Sequence, residues 1–230
     1  MRVIILADGF QKRWTLPIPK HLIVIEDEVL LHRTVRQLRQ RNLEDIWITS
    51  HDVRYEVEGT RRFEPKDNRF QIDQFYACSP LWLNCVNGPV VFLYGDVYFS
   101  DKSMDTILNT PVVDHLYFQR TDGSAITGKA WKEGFAVKVQ DTLFFHSALS
   151  SIRQGLISGT ITNNNHQLQG FLEGFGTGVF FSIGPHGVEI DDETDDFDFP
   201  EDIQVWTDHV RDWRARTAVG SFPIQGDHGG

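Results

Sequence analysis

The chain begins with a compact run of aliphatic residues, Arg2 to Ala7, that stops at Asp8-Gly9. Such a run is typical of a buried strand that leads into a sharp loop. Apolar residues then recur at helical spacing from Leu30 to Arg41, and Asp45 to Ser50 again has the composition of a strand. A strand, a loop, a helix and a second strand in this order predict a right-handed parallel crossover. We therefore expect an α/β fold.

The strongest strand candidate lies in the middle of the chain, from Pro89 to Phe99. Gly95-Asp96 interrupts its apolar run, so Asp96 is expected at the carboxyl end of a central strand. Ser79-Pro80 supplies an N-cap and first-turn proline for a short helix that Gly88 can end, and Ser100 can cap another helix. The other expected elements are strands at Arg69 to Tyr76, His115 to Arg120, Glu133 to Val139 and Thr177 to Ile183, a helix at about 147–154, and a loop from Ile161 to Gln169.

An acidic segment from Asp191 to Ile203 precedes the last predicted helix. Pro200 suits the first turn of that helix, and Ile203, Trp206, Val210 and Trp213 form an apolar stripe at helical spacing. Asp196 and Asp198 come just ahead of the helix. Because two positions separate them in an extended segment, both carboxylates are expected on the same side.

Charge and composition restrict the partners. The formal net charge is −10, which argues against the broad basic surface that polymeric nucleic acid requires. A small polyphosphate remains compatible if a few basic residues are placed locally and a divalent cation offsets the carboxylates. Cys78 and Cys85 have no metal or redox spacing and are expected to be free thiols. No signal peptide or membrane span is legible, so a cytoplasmic protein without membrane contact is expected.

The domain organisation is expected to be simple. With no internal repeat and no Pro/Ser-rich linker, residues 1–222 are predicted to form one domain, followed by a flexible tail at 223–230. The predicted architecture is a three-layer α/β/α sandwich with a mainly parallel, mixed central sheet and ligands at the carboxyl ends of its strands. Homo-oligomerisation is left open.

The loop around Gly9 is the first candidate site. A strand that ends in glycine lets backbone N–H groups approach phosphates, and Arg13 and Lys20 can neutralise them. From the local pattern alone, a tight turn with two solvated basic residues is an equal alternative.

The order of motifs resembles the nucleotidyltransferase superfamily that activates sugar phosphates and phospho-alcohols. Its usual L-A-A-G-x-G-x-R followed by P-K-x-L appears here as L-A-D-G-F-Q-K-R at Leu6 to Arg13 and P-K-H-L at Pro19 to Leu22. The resemblance implies that Gly9 faces a triphosphate and that Arg13 and Lys20 act on the α-phosphate and the leaving pyrophosphate. The nucleotide-binding residues that it implies are Leu6, Ala7, Asp8, Gly9, Gln11, Ser79 and Gly95. In this chain Asp8 replaces a small residue and Gln11 replaces the second glycine.

The same resemblance implies a magnesium site. In the family, one ligand follows a central strand in a G-D context and another lies in a segment like D-x-D-T-P-E-D-L, and this chain has Y-G-D-V and D-F-D-F-P-E-D-I. Asp96 and Asp198 are the expected ligands, with Asp196 as an auxiliary, because Mg²⁺ prefers carboxylate oxygens. By itself the acidic segment would more often be a solvated run that caps a helix.

Two further groups of residues keep two interpretations. Ser79 and Asn84 fall where cytidylyltransferase relatives contact base and ribose, although a helix cap explains Ser79 equally well. Lys129, Lys132 and Lys138 can be imagined at an acceptor phosphate, although lysines on strands and loops are usually solvated.

The reaction implied by the resemblance is transfer of a nucleotidyl group from an NTP to a small phosphorylated acceptor, with magnesium as cofactor and pyrophosphate as product. A glycosyltransferase that uses a nucleotide sugar and a non-catalytic nucleotide-binding relative, suggested by Gln11, are the alternatives. A D-x-D motif after the central strand would favour the glycosyltransferase, whereas Gly95-Asp96-Val97-Tyr98 carries a single acid. Neither the base nor the acceptor can be read from the sequence.

Overall fold

The structure, a computed structural model, describes residues 1–8, 13–66, 72–85, 88–161 and 187–219. The strands in these residues are β1 Arg2–Leu6, β2 Val24–Ile25, β3 Glu28–Val29, β4 Ile46–Thr49, β5 Arg61–Phe63, β6 Val90–Tyr94, β7 Val97–Tyr98, β8 His115–Arg120, β9 Glu133–Val139, β10 Gly187–Glu189 and β11 Asp195–Asp196. The α-helices are α1 Leu30–Gln40, α2 Asp73–Ala77, α3 Ser79–Trp82, α4 Asp101–Asn109, α5 Thr142–Ser158 and α6 Pro200–Val219. Lys20–Leu22 and Val53–Tyr55 form short 3-10 helices.

A central sheet organises the molecule, with strand order β10-β8-β9-β6-β1-β4-β5. Strand β9 is antiparallel to both of its neighbours, whereas the other neighbouring pairs are parallel. Strand β1 lies between β4 and β6, and its last residue Leu6 pairs with Thr49 on one side and Tyr94 on the other. The predicted mixed, mainly parallel sheet is confirmed.

Helices cover both faces of this sheet because side chains of the central strands alternate between two cores. Val3 and Ile5 of β1 pack in one core with residues of α1 and α4. Ile4 and Leu6 point to the other core, where α2, α3 and α5 supply Phe75, Trp82 and Phe145 among others. The predicted three-layer α/β/α architecture follows from this alternation.

A third core lies apart from the two faces of the sheet. It joins α6 to the β2–β3 hairpin, with Trp206 of α6 fully buried against Tyr98 and Phe197. The predicted apolar stripe is therefore the buried side of α6. None of the helices in the described part of the chain combines the length and apolar character that a membrane crossing needs.

The strand expected at Arg69–Tyr76 is wrong, since Asp73–Ala77 forms helix α2. The buried apolar residues there are Ile72, Phe75 and Cys78, which recur every three positions and therefore suit a helix. The following helix α3 ends at Trp82, well before the expected stop at Gly88. The helix expected at 147–154 is longer, because Asp141 caps it and accepts a hydrogen bond from the Phe144 N–H at 2.9 Å.

Several of the expected segments fall outside the residues that the structure describes. The strand at Thr177–Ile183, nearly all of the loop at Ile161–Gln169 and the tail at 223–230 lie outside the described residues. The site residues Gly9 and Gln11 also lie outside them.

Candidate active site

The carboxyl ends of β1 and β6 form the floor of the candidate site. Because the two strands are parallel, the residues that follow Leu6 and Tyr94 meet at one edge of the sheet. The Gly95 N–H donates to the Leu6 carbonyl at 2.9 Å. A Cβ on Gly95 would lie 2.9 Å from that carbonyl oxygen and 2.9 Å from the ring of His21, so only glycine fits without movement. Gly95 thus sets how closely Asp96 approaches the end of β1.

A short antiparallel ladder brings the acidic segment to this edge. Strand β11 pairs with β7, which follows Asp96, and the Phe197 N–H donates to the Asp96 carbonyl at 3.2 Å. Asp198 is the next residue along the segment. Phe197 and Asp96 are 101 positions apart in the chain and are joined by this backbone hydrogen bond, which brings the segment of Asp196 and Asp198 next to Asp96.

Lys20 forms an ion pair with Asp96 at the centre of the site. Its side chain is 11% exposed and that of Asp96 is 17% exposed. Burial disfavours the charged form of both side chains. For Lys20, the negative charge of Asp96 and its hydrogen bond, together with the charges of Asp198 and Asp196, exceed this effect, so the pKa of Lys20 is raised. In the same way Lys20 outweighs burial and lowers the pKa of Asp96. Both side chains are therefore charged at neutral pH.

His21 follows Lys20 and supports the same turn. Its Nδ1 lies 2.8 Å from the Tyr55 hydroxyl oxygen, and the ring is buried. Burial lowers the pKa of His21 to about 4, so the imidazole is neutral at physiological pH. A neutral ring adds no positive charge next to Lys20.

Arg13 pairs with the second predicted metal ligand. Its guanidinium lies 2.8 Å from an Asp198 carboxylate oxygen and 5.2 Å from the centroid of the Phe199 ring. Arg13 is 53% exposed, whereas Asp198 is 13% exposed. Burial, followed by the charge of Asp196, raises the pKa of Asp198 to about 6 in spite of Arg13 and Lys20. Arg13 is thus an exposed side chain that can turn from a carboxylate to another anion.

Asp196, the third predicted metal ligand, contacts a lysine that the sequence did not single out for this place. Lys129 forms an ion pair with the Asp196 carboxylate and donates to the Asp196 carbonyl at 2.6 Å. Its ammonium also lies 3.1 Å from Glu133 and 3.8 Å from Asp195. Carboxylate oxygens of Glu133, Asp195 and Asp196 lie within 4.8 Å of one another, a spacing that could hold a metal ion. We call these three residues the buried acidic triad.

Two cations face the three carboxyl groups of the triad, and Lys129 is one of them. Arg120 adds a second cation, 3.1 Å from Glu133 and 3.5 Å from Asp195. Burial and then the charges of Asp196 and Asp195 raise the pKa of Glu133 well above its usual range, so Glu133 retains a proton at neutral pH. The sequence pointed to Asp196 through the acidic segment, and the acidic residue that opens the strand at Glu133 is the signal that could have added Glu133.

The two remaining lysine candidates, Lys132 and Lys138, differ in burial. Lys138 is buried, and its ammonium donates to the carbonyls of Ile107, Leu108 and Thr110 at 2.7–3.2 Å. It caps the end of α4, so the expectation that it is solvated or contacts an acceptor is wrong. Lys132 is exposed on the loop before β9.

The other predicted nucleotide-binding residues lie in two places, after β1 and on helix α3. Ala7 is buried, and its N–H donates to the Thr49 carbonyl at 3.2 Å. A carboxylate oxygen of Asp8 lies 3.5 Å from Nε2 of His51. Both extend β1 toward the site. Ser79 begins α3, in which the Leu81 carbonyl accepts a hydrogen bond from Arg2 at the opposite end of β1. The structure therefore gathers Arg13, Lys20, Gly95, Asp96, Asp196 and Asp198, and does not bring Ser79 to them.

Known structures provide an independent comparison. No protein-family model matches the chain, and no curated protein matches it significantly. Solved structures do match over nearly the whole chain. A protein from Bacillus anthracis described as a glucose-1-phosphate thymidylyltransferase aligns with a TM-score of 0.59 at 14% identity, covering 92% of this chain and 95% of that chain.

Two other solved structures are similar in the same way. The CTP:phosphocholine cytidylyltransferase from Streptococcus pneumoniae has a TM-score of 0.56 at 13% identity and covers 90% of this chain and 97% of its own. The inositol-1-phosphate CTP transferase from T. maritima has a TM-score of 0.57 at 13% identity, with 90% and 94% covered. The chain therefore has the fold of the nucleotidyltransferase superfamily.

Proposed function

We propose that this protein is a magnesium-dependent nucleotidyltransferase. It joins the nucleotidyl group of an NTP to a sugar phosphate or phospho-alcohol and releases pyrophosphate. The observation that carries the proposal is the paired arrangement of Lys20 with Asp96 and of Arg13 with Asp198, at the carboxyl edge of a sheet with this fold. The solved structures with similar folds, whose names state nucleotide transfer to sugar phosphates or phospho-alcohols, support the same reaction class.

The carboxylates suit a hard divalent cation. The side chains of Asp96 and Asp198 are 17% and 13% exposed, so both are largely buried and still reach solvent. They would hold the ion, with Asp196 beside them, because carboxylate oxygens are the ligands that Mg²⁺ prefers. A bound Mg²⁺ would neutralise charge on the triphosphate and orient it for in-line attack.

The basic side chains would act on the nucleotide. In the reaction, a phosphate oxygen of the acceptor attacks the α-phosphorus, and the bond between that phosphorus and the pyrophosphate oxygen breaks. An ionised acceptor phosphate needs no proton removed, so the protein must mainly position the two substrates and stabilise charge. Lys20 and Arg13 supply positive charge to the α-phosphate and to the departing pyrophosphate.

The end of β1 would receive the nucleotide. Leu6, Ala7, Asp8 and Gly95 provide the edge of this binding surface, and the proposal extends it to Gly9 and Gln11. Because Gly95 has no side chain, the ends of β1 and β6 lie close together. This would keep Asp96 near the phosphates of a bound nucleotide.

A pyrophosphate-release assay tests the proposal. The protein is incubated with Mg²⁺, each of the four NTPs and a panel of sugar phosphates and phospho-alcohols. We expect release with one NTP and one acceptor class, and its loss in Asp96→Asn and Asp198→Asn. Silence with all combinations, together with unchanged nucleotide binding in Lys20→Ala, would exclude the enzymatic function.

A further inference from the structure

Lys129 is a buried cation in the middle of the acidic segment. Its side chain is 4% exposed, and carboxyl oxygens of Asp196, Glu133, Asp202 and Asp195 all lie within 4.0 Å of its ammonium. A buried ammonium is costly unless its partners compensate for the lost water. The acidic side chains around Lys129 provide this compensation, and Lys129 in turn links them to one another.

Lys129 contacts both ends of the segment that carries Asp198. At one end it binds the carboxylate and the carbonyl of Asp196, and at the other end it lies 3.3 Å from Asp202. The same Asp202 carboxylate accepts hydrogen bonds from the N–H groups of Asp198 at 2.8 Å and of Phe199 at 3.0 Å. The position of the Asp198 backbone thus depends on Asp202, and Asp202 is tied to Lys129.

Lys129 also occupies the place that a metal ion would take in the buried acidic triad. Ligand oxygens of the triad are spaced closely enough for a cation, and the ammonium already lies among them. Ser124 and Thr127 donate hydrogen bonds to Asp195, so the loop that carries Lys129 is fastened to the triad at three places. An ammonium in this position excludes a divalent ion by occupancy and by charge.

We propose that Lys129 is a positioning residue, a fixed internal cation that holds Asp198 opposite Asp96 and keeps the buried acidic triad closed to a second metal ion. Its role in catalysis rests on the proposed function. The exclusion of metal from the triad does not, since it follows from the contacts of Lys129 alone.

The principal test is the Lys129→Met variant, with Lys102→Met as matched control because Lys102 is exposed on α4. Mn²⁺ binding is titrated calorimetrically without nucleotide, and pyrophosphate release is measured with Mg²⁺. We expect Lys129→Met to bind one Mn²⁺ more than the wild type, and its kcat to fall about 10- to 100-fold with the KM for NTP within about threefold. Equal Mn²⁺ stoichiometry and equal kcat in the two lysine variants would overturn the proposal.

Lys129→Arg keeps the proposal testable if Lys129→Met does not fold, which circular dichroism will reveal. The planar guanidinium retains the positive charge but cannot place it as compactly as the ammonium among the four acidic side chains. We expect the wild-type Mn²⁺ stoichiometry with a kcat about 3- to 10-fold below wild type. A wild-type kcat or an additional Mn²⁺ in this variant would refute the role of Lys129.

The outcomes separate the two proposals. A wild type that releases no pyrophosphate, while Lys129→Met still gains a Mn²⁺ site, contradicts the proposed function and leaves Lys129 as the cation that closes the triad. An active wild type with an unaffected Lys129→Met contradicts only the role of Lys129.

Discussion

Replacing Lys20 by methionine should make the nucleotide-free protein bind divalent metal more tightly. In the structure the Lys20 ammonium is paired with Asp96, one of the two proposed metal ligands. A metal ion that binds Asp96 before the nucleotide arrives must displace the Lys20 ammonium. Lys20 would leave readily only when triphosphate oxygens offer it a new partner, so metal and nucleotide are expected to bind cooperatively.

The magnitude follows from the interaction that the metal must break. A hydrogen bond to a charged group contributes about 1.5–3 kcal/mol net, and both partners here are largely buried. Since about 1.4 kcal/mol corresponds to a tenfold change in affinity, Lys20→Met should bind Mn²⁺ about 10- to 100-fold more tightly. The same substitution leaves a buried carboxylate without its cation, so the metal-free variant should be less stable than the wild type.

Isothermal titration with Mn²⁺ in the absence of nucleotide measures the effect directly. Lys102→Met is the control for removing one positive charge from an exposed surface, and it should leave the dissociation constant within about twofold. Thermal unfolding should show a larger Mn²⁺-induced stabilisation of Lys20→Met than of the wild type. Affinity for Mn²⁺ that is unchanged or weaker in Lys20→Met would show that Lys20 does not compete for Asp96, and the reasoning would fail.

Three further predictions concern pH and packing. Because the pKa of Asp198 lies at about 6, a proton competes with metal below that pH, so nucleotide-free Mn²⁺ affinity should fall up to about tenfold per pH unit; the same fall in Asp198→Asn would contradict this. His21 has a pKa of about 4 when folded against 6.5 when unfolded, so the unfolded chain takes up the proton first and stability is lost on acidification, by up to about 3 kcal/mol between pH 7 and 4. Urea unfolding at several pH values should give a flatter profile for His21→Gln, and parallel profiles would be inconsistent with a neutral buried ring. Gly95→Ala should lower the free energy of unfolding by about 1–3 kcal/mol because the added methyl group meets the Leu6 carbonyl, and an unchanged melting temperature would argue against the close approach.

Elements whose signal is local could be predicted from the sequence. The β-branched run of β1, the helical spacing of α1 and the apolar run of β6 each specify their own conformation. Ser100 caps α4 as expected, and its hydroxyl accepts a hydrogen bond from the Ser103 N–H at 2.8 Å. Pro200 begins α6 because proline fits the first turn.

Elements that depend on tertiary pairing could not be predicted. Asp195–Asp196 has no strand composition and becomes β11 only because β7 offers it backbone partners. The β2–β3 hairpin turns through Glu26 and Asp27 at positive φ, without the glycine that usually signals such a turn. Arg69–Tyr76 was misjudged because its first residues alternate, whereas the buried positions that follow have helical spacing.

The candidate site likewise contains residues that local motifs predict and contacts that arise only in the folded chain. Asp96 and Asp198 could be found because each stands in a recognisable motif, and Arg13 and Lys20 because they follow the first strand. Their mutual pairing is a property of the folded chain. The role of Lys129 was not visible, since no local pattern distinguishes a buried lysine in a loop from a solvated one.

The most direct test of the central claim is pyrophosphate release by the wild-type protein with Mg²⁺, the four NTPs and the acceptor panel. We expect release that requires the metal, one NTP and a phosphorylated acceptor together, and we expect Asp96→Asn to reduce it by at least about 100-fold. No release in any combination, or release that is the same in Asp96→Asn and Asp198→Asn, would contradict it.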